Sequence, residues 1–219
     1  FSGGKDSASV AHIINNILSK RGKELTALLI DEGIHGYRNK TVVDAKKFCK
    51  KEGIKLVIID SKKEFGFGLN DALKKLDMNP CSICGTMRRY LLNKYARKLK
   101  ADRVVTGHNL DDEAQTVLMN QLKGNVQLSA KLGPVTGIEE HKKFIRRVKP
   151  LYFMTEKEVT VYSTLKGFDV RYSECPNSRD AFRSDVRNML NDLENKYPGT
   201  KNGVINSFLD ILPKLRLGA

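Results

Sequence analysis

The segment that decides the fold of this 219-residue chain is Ser2-Gly3-Gly4-Lys5-Asp6-Ser7, close to the start of the sequence. Two adjacent glycines allow the backbone to approach an anion closely, and a helix predicted from Ser7 to Lys20 would direct unpaired N–H groups towards that anion. Lys5 adds a positive charge, and the hydroxyls of Ser2 and Ser7 add hydrogen-bond donors. A Walker loop has four residues between its first glycine and Gly-Lys-Ser/Thr, and this segment does not. It therefore predicts a phosphate-binding loop of another type.

Beyond this loop, short apolar runs alternate with amphipathic stretches. The predicted strands are residues 25–30, 55–59, 104–106 and 169–172, and the predicted helices are residues 7–20, 39–52, 84–98, 111–123 and 155–166. This alternation indicates an α/β fold with a doubly wound parallel sheet and helices on both faces. Residues 124–143 show no periodicity and predict a mobile loop. Two further helices, separated at Pro198-Gly199, are predicted at the C-terminal end.

The domain organisation follows from these elements. We expect one phosphate-binding domain over residues 1–175 and a C-terminal helical extension over residues 176–219 that packs on it. A doubly wound sheet places its phosphate loop directly after a strand, yet the loop here begins at Ser2. We therefore expect Phe1 to be the last residue of that strand and the preceding part of the strand to be missing from this sequence.

Composition narrows the class of protein. No stretch approaches the roughly 20 consecutive apolar residues that a membrane-spanning helix needs, and we expect a cytoplasmic location without membrane contact. Lys and Arg total 39 against 25 acidic residues, a formal net charge of +14. A positive field of this size attracts polyanions, which favours nucleic acid as a partner. The chain has no Trp and only 7% aromatic residues, which argues against a stacking platform for single strands.

A second motif, Gly107-His108-Asn109-Leu110-Asp111-Asp112-Glu113, follows a predicted strand and begins a helix. Acidic residues in a first helical turn stabilise the helix dipole in any protein. Paired carboxylates beside a bound triphosphate are also the ligands that Mg²⁺ requires. We favour Asp111 and Asp112 as a magnesium site, with Asp112 the stronger candidate.

Four cysteines occur, and three of them are candidates for chemistry. Cys81 and Cys84 lie three residues apart at a predicted helix N-terminus, which lowers thiol pKa. Cys175 precedes a proline close to a predicted strand end. A redox dithiol, half of a zinc site and ligands of an iron–sulfur cluster all fit this pattern. Cys49 lies within a predicted helix and is expected to be a small buried apolar residue.

Basic side chains follow Cys175 at helical spacing. Arg179, Arg183 and Arg187 lie at i, i+4 and i+8, so on a helix they would form one ridge. Acidic neighbours would make this an ordinary charged face, whereas free guanidinium groups would contact phosphates of an RNA. We expect tRNA contacts here.

Together, SGGKDS, GHNLDDEAQT and the cysteines resemble the TtuA/TtcA group of tRNA 2-thiouridine synthetases, which are PP-loop ATP pyrophosphatases of the adenine nucleotide alpha hydrolase-like fold. The similarity runs from Ser2 to about Leu193 and is nearest to the archaeal and eukaryotic wobble-uridine branch. The resemblance implies ATP binding by the phosphate loop and Gly107, with adenine on the backbone of Ile30. Arg88 stands where related enzymes can have a lysine that reaches the nucleotide, so an acid–base role there is in doubt.

The resemblance also implies the chemistry. Cys81, Cys84 and Cys175 would hold a [4Fe–4S] cluster whose fourth iron is open and can bind sulfide, with Cys81, Cys175 and Asp112 as catalytic residues. ATP would adenylate O2 of a tRNA uridine before sulfur enters at C2. The sulfur donor would be sulfide or a ubiquitin-like sulfur carrier protein. Dimerisation stays open, with a homodimer as one expectation. Members of the group also carry zinc ribbons at one or both ends; none is found in this sequence, which is expected if its ends are truncated.

Three alternatives to this hypothesis stay open. A persulfide on the same cysteines would transfer sulfur without a cluster. A sulfur-free relative such as tRNA lysidine synthetase would not need the three thiols. A nucleotide-binding module would sense AMP without catalysis, and tRNA-dependent pyrophosphate release would exclude it.

Overall fold

The computed structural model describes residues 1–34, 36, 38–73, 79–137, 144–170, 175 and 181–217. Helices and strands alternate along much of this part of the chain, as the sequence predicts. The elements in chain order are α1 (Lys5–Ser19), β1 (Thr26–Asp31), α2 (Arg38–Lys51), β2 (Lys55–Asp60), α3 (Ser61–Phe65), α4 (Leu69–Leu73), α5 (Pro80–Lys98), β3 (Val104–Val105), α6 (Leu110–Leu122), α7 (Val126–Ala130), β4 (Val135–Thr136), β5 (Arg147–Val148), α8 (Glu156–Leu165), α9 (Ala181–Lys196) and α10 (Thr200–Leu217).

The strands confirm the predicted parallel arrangement in two of their three pairings. β1 and β2 are parallel, in register from Thr26 opposite Lys55 to Asp31 opposite Asp60. β3 and β5 are also parallel, whereas β4 pairs antiparallel with β5. This antiparallel pair was not predicted from the sequence. Only ten residues separate the two strands (137–146), and a parallel crossover needs a longer connection.

Some element boundaries differ from the predictions for local reasons. Helix α5 begins at Pro80 rather than Cys84, because the Asn79 side chain accepts a hydrogen bond from the Cys81 N–H at 2.9 Å and caps the helix. The prediction of an irregular loop after residue 123 is wrong where the chain is described, since α7 and β4 lie there. Asp169 and Val170 are not in a strand, and the rest of that predicted strand lies outside the described residues.

The two C-terminal helices pack on the helix that begins at the second motif. Apolar side chains of α9 and α10 join those of α6 around the fully buried Tyr152 and Phe208. The buried members of this cluster are Leu110, Ala114, Val117, Tyr152, Val186, Leu190, Ile205, Phe208 and Leu212. The C-terminal helices therefore fix the position of α6.

Helix α1 is fixed from two sides. Val10 packs with Leu151 and Val159, and Val159 belongs to α8. On the other side, a cluster that includes Phe48, Cys49 and other apolar residues packs against Ala8 and Ala11. Helix α8 begins with a capping box formed by Thr155 and Glu158. Across the described residues, none of the helices combines the length and the apolar character needed to span a membrane.

Candidate active site at the strand ends

The phosphate loop (residues 2–7) has a backbone that only glycine fits. Gly3 has a φ of +88°, and a Cβ built on it would lie 3.0 Å from the carbonyl oxygen of Thr41. Gly4 is the N-cap of α1 in an extended conformation. The Ser7 hydroxyl donates to the Gly4 carbonyl at 2.9 Å, and the Ser2 hydroxyl donates to Ser7 Oγ at 3.1 Å. The loop is thus closed on itself, with the N-terminal end of α1 beneath it.

Lys5 is held by two carboxylates. Its Nζ lies 3.2 Å from Asp6 Oδ2 and 3.0 Å from Oε1 of Glu156, the first residue of α8. Burial alone would lower the pKa of Lys5, but Asp6 and Glu156 raise it above its ordinary value. The ammonium group is therefore cationic, and a polyphosphate at this loop would compete with Glu156 for it.

The second motif lies directly against the phosphate loop. A Cβ on Gly107 would lie 2.8 Å from the carbonyl carbon and oxygen of Asp6, so no larger residue fits there. The Asn109 amide donates to Asp6 Oδ1 at 3.1 Å. Asn109 also caps α6 through a capping box with Asp112. The structure therefore brings together two motifs that are about 100 residues apart in sequence.

The two neighbouring aspartates of this motif have different surroundings. Asp111 is buried, forms an ion pair with Lys201 of α10 and accepts the Glu156 N–H at 2.7 Å. Asp112 is 37% exposed and lies 3.4 Å from Arg183 Nη2. Burial raises the pKa of Asp112, Arg183 opposes that rise, and the charge of Asp6 adds to it. Asp111 thus ties α6 to α8 and α10, whereas Asp112 faces the phosphate loop.

The end of β1 carries a set of charges that the sequence did not reveal. The Ile30 carbonyl, expected near adenine, accepts hydrogen bonds from the buried Arg38. Glu32, which is only 1% exposed, forms ion pairs with Arg38 and with Arg88 of α5. Arg88 therefore lies at the strand end, where its described partners are Glu32 and Cys84.

Cys81, Cys84 and Cys175 form what we call the thiol site. Cys84 and Cys175 pack on the same apolar cluster, whose buried members are Ile34, Leu69, Ala72, Ile83 and Met87. Burial raises the pKa of the Cys84 thiol, and the Arg88 guanidinium opposes that rise. Charges on Cys175 and Cys81 raise the same pKa further, so both thiols lie within electrostatic range of Cys84.

Cys49 lies elsewhere, as predicted. It is 2% exposed, packs with Phe48, Ile54 and Phe168, and burial raises its pKa to about 11. This thiol is a packing residue.

The donor chemistry of the thiol site fits an iron–sulfur cluster. A [4Fe–4S] cluster distributes its thiolate ligands over different irons, so its cysteines surround the cluster without touching one another. Cys84 and Cys175 on one apolar cluster, with Cys81 within electrostatic range of Cys84 and a guanidinium beside it, fit that requirement.

The predicted arginine ridge lies only partly within the described residues. Arg179 is outside them, while Arg183 and Arg187 lie on α9 and are half-buried. The Arg183 Nε donates to Gln115 Oε1 of α6 at 3.2 Å, and its Nη2 donates to Asp112. Arg183 therefore points towards the phosphate-loop side of α6.

Sequence reasoning missed Glu32, Arg38, Asn109 and Glu156. Asn109 was detectable, because Asn followed three residues later by an acidic residue is a helix-start signature. Glu32 and Arg38 gave no such signal, because the burial of a charged pair depends on tertiary contacts.

Comparison with known proteins relates this chain to a family with a phosphate-binding loop. A family model described as PP-loop domain matches residues 1–194. The chain is 42% identical to tRNA-5-methyluridine(54) 2-sulfurtransferase of Pyrococcus horikoshii, covering 95% of this chain and 64% of that protein. It is 38% identical to tRNA 2-thiolation protein NcsA of Haloferax volcanii, covering 96% and 68% respectively. The chain thus spans about two thirds of the length of these relatives.

A solved structure is similar over nearly the whole chain. It is the U34-tRNA thiolase NcsA from Methanococcus maripaludis with its [4Fe–4S] cluster, with a TM-score of 0.88 and 39% identity. The match covers 97% of this chain and 71% of that one. The chain therefore belongs to the PP-loop family, within the group that includes the tRNA 2-sulfurtransferases and tRNA 2-thiolation proteins.

Proposed function

We propose that this chain is an ATP-dependent tRNA-uridine 2-sulfurtransferase that replaces O2 of a tRNA uridine with sulfur. The observation that carries the proposal is the junction of two sites at the end of β1, where Arg38 contacts the phosphate loop and Arg88 contacts Cys84. A nucleotide site alone would fit many PP-loop enzymes, but a thiol site joined to it fits sulfur transfer. The names of the relatives from Pyrococcus and Haloferax support the same activity.

The phosphate loop would hold the polyphosphate of ATP. The backbone N–H groups at the start of α1, the Ser2 and Ser7 hydroxyls and the Lys5 ammonium are the donors available for it. For Mg²⁺ we propose Asp112 together with Asp6, since both contact Asn109 and the ATP phosphates supply the remaining oxygens. Asp111 is engaged by Lys201, so we place it outside this metal site.

Cys81, Cys84 and Cys175 would hold a [4Fe–4S] cluster. With three protein ligands, such a cluster would leave one iron available for the sulfur that the reaction consumes. Ile34, Leu69 and Met87 beneath the thiols are buried, so they exclude water from that side.

The reaction has two steps. O2 of the uridine attacks the α-phosphate of ATP, an O–P bond forms, and the bond to pyrophosphate breaks. Lys5 and the loop N–H groups stabilise the negative charge that accumulates on the leaving pyrophosphate. A sulfide nucleophile then bonds to C2, and AMP leaves with the former O2. Adenylation is required because an unmodified uridine oxygen is a poor leaving group.

The RNA substrate is bound, in this proposal, as an unstacked loop base. A base inside an A-form helix does not expose C2 to protein groups, whereas a loop base can be splayed out. The net charge of +14 favours RNA binding in general, and Arg179, Arg183 and Arg187 remain the proposed phosphate contacts. We propose the wobble uridine as target, although the names of the relatives include both position 54 and position 34.

The remaining parts of the proposal concern partners and location. Sulfide or a ubiquitin-like sulfur carrier would donate the sulfur, and the cytoplasm is the expected location. A homodimer and a domain boundary at residue 175 stay predictions.

The proposal is tested with the purified chain under anaerobic conditions. Iron and acid-labile sulfide are quantified, and an unmodified tRNA transcript is incubated with ATP, Mg²⁺ and sulfide. We expect iron in the wild-type chain, thiolated uridine in the product and pyrophosphate release that depends on tRNA. Full thiolation by iron-free protein would contradict the cluster but not the adenylation. Absence of tRNA-dependent pyrophosphate release would contradict the enzyme itself.

A further inference from the structure

Glu32 occupies an unusual position between the two halves of the site. Its carboxylate is 1% exposed and has two guanidinium partners. Oε2 lies 2.8 Å from Arg38 Nε, and Oε1 lies 2.7 Å from Arg88 Nη2. One buried carboxylate thus holds two arginines from different helices, α2 and α5.

The first of these arginines reaches the phosphate loop. Arg38 is 4% exposed, and its Nη1 donates to the Ser2 carbonyl at 3.0 Å. It also donates to the carbonyl of Ile30 and to the hydroxyl of Thr41, whose carbonyl lies against Gly3. A change in the position of Arg38 would therefore move the backbone that surrounds the phosphate-binding glycines.

The second arginine reaches the thiol site. Arg88 Nη2 lies 3.3 Å from Cys84 Sγ, and the Arg88 side chain is 46% exposed. A half-exposed guanidinium has access to many solvent-directed rotamers. The ion pair with Glu32 is the contact that selects the rotamer directed at the thiol.

A contribution to stability alone does not explain why a buried carboxylate is present at position 32. Removing a carboxylate from water costs about as much as ion pairing returns, and apolar replacements of buried ion pairs are often as stable. Apolar neighbours are available here, since Ile34 and Leu69 are buried close by in sequence and in the fold. The two arginines instead connect Ser2 and Cys84 through one continuous chain of polar contacts.

We propose that Glu32 is a positioning residue that couples the two sites, so that nucleotide binding at the phosphate loop and cluster binding at the thiol site strengthen each other. The inference rests on the proposed function, which names ATP and the iron–sulfur cluster as ligands. Glu32 touches neither ligand and acts through Arg38 and Arg88.

The test is an equilibrium measurement on the full chain. The dissociation constant of α,β-methylene ATP, which cannot be cleaved between its α- and β-phosphates, is measured by calorimetry for iron-loaded and iron-free protein. We expect the iron-loaded wild type to bind the analogue at least about fivefold more tightly, the lower end of typical couplings between sites. In Glu32→Gln the two constants should be equal.

Two further variants keep the test decisive. Glu64→Gln is the matched control, since Glu64 also binds α5 through Lys94 and Tyr95 but has no described contact with either site. It should keep the wild-type ratio. Arg88→Met leaves Glu32 paired with Arg38, so it should fold even if Glu32→Gln does not, and its ratio should also fall to one.

The outcomes separate the inference from the proposed function. A fivefold ratio that persists in Glu32→Gln or Arg88→Met would overturn the inference alone. The inference alone would also be overturned if the wild type binds both iron and the analogue but its iron-loaded and iron-free forms have equal dissociation constants for the analogue. Failure of the wild type to bind the analogue or iron would overturn the proposed function and the inference together.

Discussion

The phosphate loop and the thiol site lie next to each other but are built from different parts of the protein. The phosphate loop is made of backbone: a left-handed Gly3, the N-terminal end of α1, and Gly107 in van der Waals contact with Asp6. The thiol site is made of side chains that project from two distant segments over an apolar cluster. A site of backbone atoms is rigid before its ligand arrives, whereas a site of side chains depends on what packs around it.

This contrast predicts how each region responds to substitution. Changes that disturb the backbone around the phosphate loop should destabilise the fold and the nucleotide site together. Changes at the thiol site should remove ligand binding while the fold stays intact. The four predictions below are ordered by their expected effect on the free energy of unfolding.

The largest effect is expected at Lys201. Its ammonium is buried and pairs with Asp111, so Lys201→Met leaves a carboxylate without its cation in the interior. We expect a loss of about 3–5 kcal/mol in the free energy of unfolding, measured by urea denaturation. The control is Lys214→Met, an exposed lysine of the same helix, which should change stability by less than about 0.5 kcal/mol. Equal losses in the two variants would contradict the structural role of Asp111.

The second effect is expected at Gly107. The methyl group of Gly107→Ala would lie 2.8 Å from backbone atoms of Asp6, which cannot move aside as a side chain can. We expect a loss of about 1–3 kcal/mol together with loss of ATP binding, measured by denaturation and calorimetry. Gly203→Ala is the control, since among the described residues no atom outside its own stretch of helix backbone lies within 4 Å of the new methyl group. It lies within α10 and should be neutral or stabilising by up to about 1 kcal/mol.

A smaller effect on the free energy of unfolding is expected when a cysteine of the core is compared with a cysteine of the thiol site. Cys49 is packed in the core, so Cys49→Ala should cost about 1 kcal/mol and leave bound iron unchanged. Cys84→Ala should cost less and remove the iron, because its side chain is a proposed ligand and only partly buried. Denaturation and iron analysis of both variants measure the two properties. Iron loss in Cys49→Ala but not in Cys84→Ala would reverse the assignment.

The contrast also explains what the sequence could and could not predict. SGGKDS and the start of α6 are local motifs, since a glycine pair before a helix already dictates where N–H groups point. The alternation of strands and helices likewise follows from local periodicity, which is why β1, β2, α1 and α6 were found close to their true bounds. The N-terminal end of helix α8 was found to within one residue, because its capping box is a local signal.

Features that depend on tertiary contact were not predictable in this way. The ion pairs of Glu32 with two arginines bring together residues six and 56 positions away. The different surroundings of Asp111 and Asp112 depend on Lys201, which pairs with Asp111 from 90 residues away. Strand β4 runs antiparallel because of the short connection to β5, a fact of topology rather than of composition.

The smallest effect on stability, and the sharpest test of function, is expected at Asp112 in comparison with Asp111. Burial raises the pKa of Asp112, so its ionised form is disfavoured in the folded chain, and this cost is fully present above the folded pKa. Asp112→Asn removes that cost at neutral pH but also removes the ion pair with Arg183, and solvent screens both effects at a side chain that is 37% exposed, so the free energy of unfolding should change little.

The same change removes a proposed Mg²⁺ ligand, and tRNA-dependent pyrophosphate release should fall below detection. Asp111→Asn is the matched variant in the neighbouring position. It leaves the buried Lys201 without its counter-ion, so it should destabilise the fold. The two variants should thus differ: Asp112→Asn should lose activity, whereas Asp111→Asn should lose stability. Full pyrophosphate release by Asp112→Asn would place the metal site elsewhere, and an unchanged stability of Asp111→Asn would show that the buried ion pair does not hold α6 to α10.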